Sequence, residues 1–270
     1  MNKTSIISCL LWLALAAPSA LAQQEVAGVG IDEKPGDALP LDAVLRDHNG
    51  KPVTLGDYFN DGKPVVLNLV YYGCPGICTE ILGGTATAID ETTLRLGDEY
   101  RVVTISFDPA ETPDLSGPKR ENYLGTLQSR QGEEGWVFLT ADQANIDSVT
   151  RAVGFRYIWN EETGLWVHDA AAILCTPEGR ISRYFRGTEF DPQTLRLSLV
   201  EASGGKIGAL SDQIWVGLCG YDPKLGKYVV LARTVITIGG AATILAVAGV
   251  VAYMIYLEHK RKKAVRPHAA

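Results

Sequence analysis

The sequence predicts an α/β fold, a central sheet flanked by helices, followed by one C-terminal transmembrane helix. Three observations carry this. Short apolar runs alternate with helix-length segments between residues 64 and 202. Two cysteines, Cys74 and Cys78, stand where one apolar run turns into a helical segment. Thr234 to Leu257 runs 24 residues without a charge, enough to span a bilayer.

Taken in order, residues 1–22 read as a secretory signal. Lys3 supplies the positive start, Ile6 to Ala16 the apolar stretch, and Ala20-Leu21-Ala22 the small-residue cleavage site. Cys9 lies inside it and is expected to be lost. Residues 23–37 read as a mobile linker and residues 38–203 as the folded domain. Asn49-Gly50 between apolar runs signals a hairpin, because both residues tolerate positive φ; His48 in that turn is expected to be exposed and structural. Val65 to Leu69 reads as a buried central strand, Glu80 to Leu96 as a helix and Tyr100 to Phe107 as a second core strand. Asp108 to Pro113 reads as an acidic, proline-containing loop, and Lys119 to Arg130 as a helix. Then come a strand at Trp136–Leu139, a helix at Asp142–Val153 and an extended run at Phe155–Trp159. Leu165 to Cys175 is expected to carry a strand that includes or follows His168, Ile181–Arg186 a return strand, and Asp191 to Ala202 a closing helix with Asp191-Pro192 at its start. Residues 204–233 read as an irregular stalk, 234–257 as the membrane helix and 258–270 as a basic tail.

The basic tail points into the cytoplasm by the positive-inside rule. The signal agrees, so the domain is expected on the exported side, in the periplasm of a bacterial inner membrane. The tail holds five Lys/Arg and one acid, and the signal one Lys and no acid. Residues 23–257 therefore keep 19 basic against 30 acidic side chains, a net charge of about −11. So acidic a domain does not suit nucleic acid. Residues 23–233, the part outside the membrane, contain no Met, so any soft-metal site there must use thiolate and imidazole.

Cys74 and Cys78, four apart at a strand-to-helix turn, are close enough for one soft metal ion or for a disulfide. The helix N-terminus favours thiolate, so both are expected to be reactive. A cysteine motif at such a turn inside an α/β layer suggests a thioredoxin-like arrangement. The best third ligand is His168. Two thiolates and an imidazole fit Cu(I), for which three ligands suffice, whereas structural zinc would want a fourth. Cys175 is a conceivable fourth, but its odd separation from His168 along one strand turns it to the other face, so it reads as a core thiol. Cys219 has no assigned role, and a Cys175–Cys219 disulfide stays open. The rival reading is a thiol–disulfide reductase using Cys74 and Cys78 as its redox pair. Its usual C-x-x-C spacing is tighter by one residue, and the proline that usually faces the pair is missing: Leu165 to Ala170 holds His168 instead. A peroxidase-like use of one thiolate is a more distant reading.

These residues carry a resemblance. Cys-Pro-x-x-Cys after a strand, Ser106-Phe-Asp-Pro-Ala-Glu-Thr-Pro113 and the single downstream His168 are similar to the Sco/SenC family of copper-handling proteins. Ser182-Arg-Tyr-Phe185 and Gly187-x-Glu-Phe-Asp-Pro192 add to it. The resemblance implies a thioredoxin fold and one copper ion, Cu(I) or Cu(II), held by Cys74, Cys78 and His168. It also implies a chaperone rather than an enzyme, assisting assembly of the dinuclear copper centre in cytochrome oxidase subunit II by copper delivery, by thiol reduction, or by both. A thiol reductant for Cys74–Cys78 and an upstream copper donor are the other expected partners. Gly76, Thr79 and Asp169 depart from the family pattern without removing a ligand. Asp108 is expected either to orient the site or to cap its loop.

Overall fold

The computed structural model describes residues 27–204, 214, 216, 218–222, 227–230 and 232–264. The expected signal peptide lies outside these residues, as does most of the expected stalk.

The chain forms β1 (Gly30–Ile31), β2 (Val44–Arg46), β3 (Pro52–Thr54), β4 (Val65–Val70), α1 (Ile77–Glu91) and β5 (Arg101–Ser106). It continues through α2 (Pro113–Leu124), β6 (Trp136–Leu139), α3 (Gln143–Ala152), β7 (Phe155–Asn160), β8 (Leu165–His168) and β9 (Ala171–Cys175). It closes with β10 (Ile181–Arg186), α4 (Pro192–Ala202), β11 (Cys219–Asp222), β12 (Lys227–Val230) and α5 (Ala232–Ala264).

Strand β4, Val-Val-Leu-Asn-Leu-Val, is buried at every position. Such a run suits only the middle of a sheet covered on both faces. It lies there, in a five-stranded sheet of order β10-β9-β4-β5-β6. β5 and β6 run parallel to β4, β9 runs antiparallel to β4, and β10 runs antiparallel to β9. The β4-α1-β5 crossover followed by the β9-β10 hairpin and α4 is the thioredoxin-like arrangement. α1 packs on α2 and α4, α2 on β6, and α4 on β9. Gly84 is required where α1 meets the loop after β10, since a Cβ there would lie 1.8 Å from the Thr188 carbonyl oxygen.

Four expectations are corrected. First, α1 begins at Ile77 rather than Glu80, which puts Cys78 inside its first turn. Second, α2 begins at Pro113, six residues before the expected Lys119. Thr112 stands at its N-cap position without a side-chain cap, Pro113 opens it, and the helix runs through Pro118. Third, Leu165–Cys175 is not one strand. The chain leaves β8, which belongs to a separate three-stranded sheet β1-β7-β8, and enters β9 in the main sheet. Asp169 makes the break: its carboxylate accepts from the Ala170 amide at 2.8 Å and from Arg186 Nη1 at 3.1 Å. Fourth, the segment read as a mobile linker is tied down by β1, where Ile31 is buried against β7.

The β2–β3 hairpin forms as expected, but only Gly50 takes positive φ. The turn is organised instead by Asp47, whose Oδ1 accepts from the amides of Asn49 and Lys51, each at 2.9 Å. His48 is half-buried rather than exposed, and its Nδ1 has no hydrogen-bond partner.

Within the expected stalk, β11 and β12 pair antiparallel and dock on the domain. The Arg183 guanidinium of β10 lies 4.3 Å from the Tyr221 ring and 5.1 Å from the Tyr228 ring. Glu201 of α4 accepts from both Arg183 and the Tyr228 hydroxyl. Each such cation–ring contact is worth about 0.5–2 kcal/mol. Arg183→Ala is therefore expected to speed amide exchange in β11 and β12 by roughly tenfold while leaving β4 and β5 unchanged.

Candidate metal centre

β4 and β5 end in register, Val70 opposite Ser106, and the chain turns upward from both into the site. From β4 it enters the loop Tyr71–Gly76, which carries Cys74, and then α1, which carries Cys78. His168 arrives from the other sheet, at the last position of β8 just before the Asp169 break. The Sγ atoms of Cys74 and Cys78 and a ring nitrogen of His168 lie within 4.8 Å of one another, and all three residues are buried. Among the described residues they form the one cluster of three or more His, Cys, Asp or Glu compact enough to hold a metal ion.

Each donor is oriented. His168 Nδ1 lies 2.8 Å from the Asp169 carbonyl oxygen. That oxygen can only accept, so Nδ1 carries the proton and Nε2 keeps its lone pair. Nε2 in turn lies 3.1 Å from Cys78 Sγ. Burial holds the His168 pKa below the usual imidazole value, so the ring is neutral near pH 7. Cys78 Sγ accepts from the Tyr71 amide, and Cys74 Sγ from the Gly76 amide, both at 3.4 Å.

The two thiols sit in unlike surroundings that move their pKa values in opposite directions. Burial raises both. At Cys74 the amides of Cys78 and Gly76 outweigh it and lower the pKa below that of an ordinary thiol. At Cys78, fully enclosed at the foot of α1, burial wins and the pKa stands well above the usual range.

An aromatic wall closes the site. Phe107, Phe155 and Tyr71 have ring centroids 5.0, 5.9 and 6.0 Å from the His168 ring. Phe107 also touches Tyr157 and Trp166. Water is thereby kept from the imidazole face, and the ring cannot swing away from the sulfurs.

The remaining candidates fall elsewhere. Cys175 is fully buried in β9, paired across to Val65, at the end of β4 away from the site. It is a core thiol, though the reason is the crossing between sheets and not strand parity. Cys175 and Cys219 are both free thiols, as are Cys74 and Cys78. Asp108 is a loop residue that pins β8: its Oδ1 accepts from the Ala110 amide and its Oδ2 from Trp166 Nε1, each at 2.9 Å. Glu111 is the residue that sequence reasoning passed over. Its carboxylate accepts from the amides of Tyr72 (2.7 Å) and Gly73 (2.6 Å) and from Ser106 Oγ (2.5 Å). Its sequence signals were its place in the acidic loop after β5 and in the Ser106–Pro113 motif, neither of which assigned it a role.

The donor set fits a soft metal ion: two sulfurs and one neutral imidazole nitrogen, each held by hydrogen bonds that leave its lone pairs facing the others. No fourth Cys or His among the described residues joins them.

A thioredoxin-like sheet that carries two cysteines on its first crossover, met by a histidine from a second sheet, is the arrangement of a protein whose site could hold a soft metal ion. The family model described as SCO1/SenC matches residues 36–202, and the chain belongs to that family. A search of curated proteins returned no significant match. Among solved structures, a putative electron transfer protein from Aquifex aeolicus VF5 is similar in fold. Its TM-score is 0.57 at 22% identity, over 64% of this chain and 96% of that one. ScoI from Arabidopsis thaliana, solved with copper bound, has a TM-score of 0.50 at 25% identity, over 63% of this chain and 98% of that one.

Proposed function

We propose that this chain is a membrane-tethered copper chaperone. It holds one copper ion through Cys74, Cys78 and His168 and assists assembly of the dinuclear copper centre of cytochrome oxidase subunit II. The observation that carries the reading is the convergence of those three donors, one from each of a loop, a helix and a second sheet. Two thiolates and one imidazole favour copper over the harder divalent ions. Family membership and the copper-bound Arabidopsis relative support the same ion.

The tether is α5. Gly239–Leu257 is apolar enough to cross a membrane, with mean hydropathy 2.0, and no part of it is buried in the protein. In this reading the cleaved signal (1–22) exports the domain of residues 38–203 to the periplasm. The segment 204–233 leads back to the bilayer, and the basic tail 258–270 stays in the cytoplasm.

Copper binding requires thiolates, so a Cys74–Cys78 disulfide blocks loading. The reduced chain is expected to take up one Cu(I) per molecule, and the oxidised chain none. Titration of both forms against a chromophoric Cu(I) chelator checks this. In an oxidising compartment a thiol reductant must therefore act before the copper donor.

The proximity of the two sulfurs also favours a second reading, a thiol–disulfide reductase. Cys74 would attack a recipient disulfide, and Cys78 would resolve the mixed disulfide. The recipient gains two thiols as this chain gains one disulfide. The two readings separate in a His168→Ala strain. The chaperone reading expects oxidase activity and oxidase copper to fall together. Full activity there, with activity lost in Cys74→Ala and Cys78→Ala strains, would favour the reductase.

A further inference from the structure

We propose that Glu111 is the positioning residue of the metal centre: it clamps the Cys74 loop to the end of β5 and so sets how tightly the three donors hold their ion. This deepens the copper reading and rests on it. The loop Tyr71–Gly76 has little regular structure of its own. Beyond the bonds within the loop and from Thr79 to the Cys74 carbonyl oxygen, two anchors tie it to the sheet. One is the Tyr72 side chain, whose hydroxyl reaches the carbonyl oxygens of Leu139 (2.7 Å) and Thr104 (3.1 Å) inside the sheet. The other is Glu111, which takes both amides immediately before Cys74, those of Tyr72 and Gly73.

The carboxylate is itself fixed from below. Ser106 is fully buried, and its oxygen accepts the Asp108 amide at 3.1 Å, so its proton is directed at Glu111. One side chain thus bridges the ends of two neighbouring parallel strands. Gly73 permits the approach, because a Cβ there would already lie 3.3 Å from Glu111 Oε1. Asp108, three residues earlier, cannot substitute, since its two oxygens are committed to Ala110 and Trp166. Without Glu111, the part-buried Tyr72 amide and the exposed Gly73 amide beside it lose their acceptor, and the loop must turn for the Tyr72 amide to reach water. Cys74 moves with it.

Residues that orient metal ligands without touching the ion are worth about 10–100-fold in affinity. The test uses the full chain in detergent, as wild type, Glu111→Gln and Glu111→Asp. Glutamine keeps the size but replaces one acceptor oxygen by a donor; aspartate keeps the charge on a shorter arm. Three quantities are read: Cu(I) affinity by chelator competition, metal-free amide exchange at Tyr72 and Gly73, and the thermal midpoint. Glu111→Gln is expected to lower affinity by about tenfold or more. Its two loop amides should exchange faster while β4 amides and the midpoint hold, and Glu111→Asp should recover part of the affinity. An affinity within twofold of wild type would overturn the proposal. So would a fall matched by faster exchange throughout the sheet, which marks a general structural role. If the wild type itself bound no Cu(I), the copper reading would fall, and unchanged exchange at Tyr72 and Gly73 would overturn the clamp separately.

Discussion

Cys78→Ser is expected to abolish Cu(I) binding by the reduced protein, with a loss well beyond the 10–100-fold typical of residues that merely orient ligands. Cys78 is the centre of the donor set. It is fully buried, it faces His168 Nε2 at 3.1 Å, and the Tyr71 amide points at its sulfur. Serine keeps nearly the same volume and still accepts from that amide, so the fold should survive. What changes is the donor, from a soft thiolate to a hard hydroxyl that does not ionise near pH 7. Chelator competition under reducing conditions reads the loss, and an affinity within tenfold of wild type would remove Cys78 from the site.

Phe107→Ala is expected to cost about 3–5 kcal/mol, the usual range for emptying a buried aromatic site. Phe107 is fully buried at the junction of the two sheets, in contact with Tyr71, Phe155, Tyr157, Trp166 and His168. At about 2–4 °C per kcal/mol for a domain of this size, the melting midpoint should fall by roughly 6–20 °C. Thermal melts of the two proteins give the number. Phe107→Leu should recover much of it, because leucine refills part of the space. A small shift for the alanine variant would mean that the junction relaxes and that the wall around His168 is not rigid.

The parts of the fold that were legible in the sequence are those fixed by local composition. The all-apolar run at β4, the short aromatic run at β6 and the strand Ile181–Arg186 stand where their sequences put them. Asp142 and Asp191 were readable as helix starts because each caps its helix through its own carboxylate. The start of α2 was missed because Pro118 reads as a helix breaker, when the helix tolerates it and the opening signal is Thr112-Pro113. The strand expected within Leu165–Cys175 proved to be two, β8 and β9, for a reason no local pattern shows. Apolar residues stand on both sides of His168-Asp169, and the crossing between sheets shows only in long-range contacts such as that of Asp169 with Arg186.

The site divides the same way. Cys74, Cys78 and His168 could be singled out because a domain without Met, and with two His, leaves few soft donors. Their convergence depends on β8 ending beside the Cys loop, a long-range fact. Glu111 stayed hidden because its partners are two backbone amides and a serine hydroxyl. Backbone amides carry no sequence identity, so a carboxylate that binds them looks like any other acid in a loop.

The most direct measurement is X-ray absorption at the copper edge on the reduced chain loaded with one equivalent of Cu(I). A three-donor centre made by Cys74, Cys78 and His168 predicts two sulfur scatterers and one imidazole nitrogen in the wild type. The nitrogen contribution should be lost in His168→Ala. A wild-type first shell without sulfur, or one unchanged by His168→Ala, would contradict it.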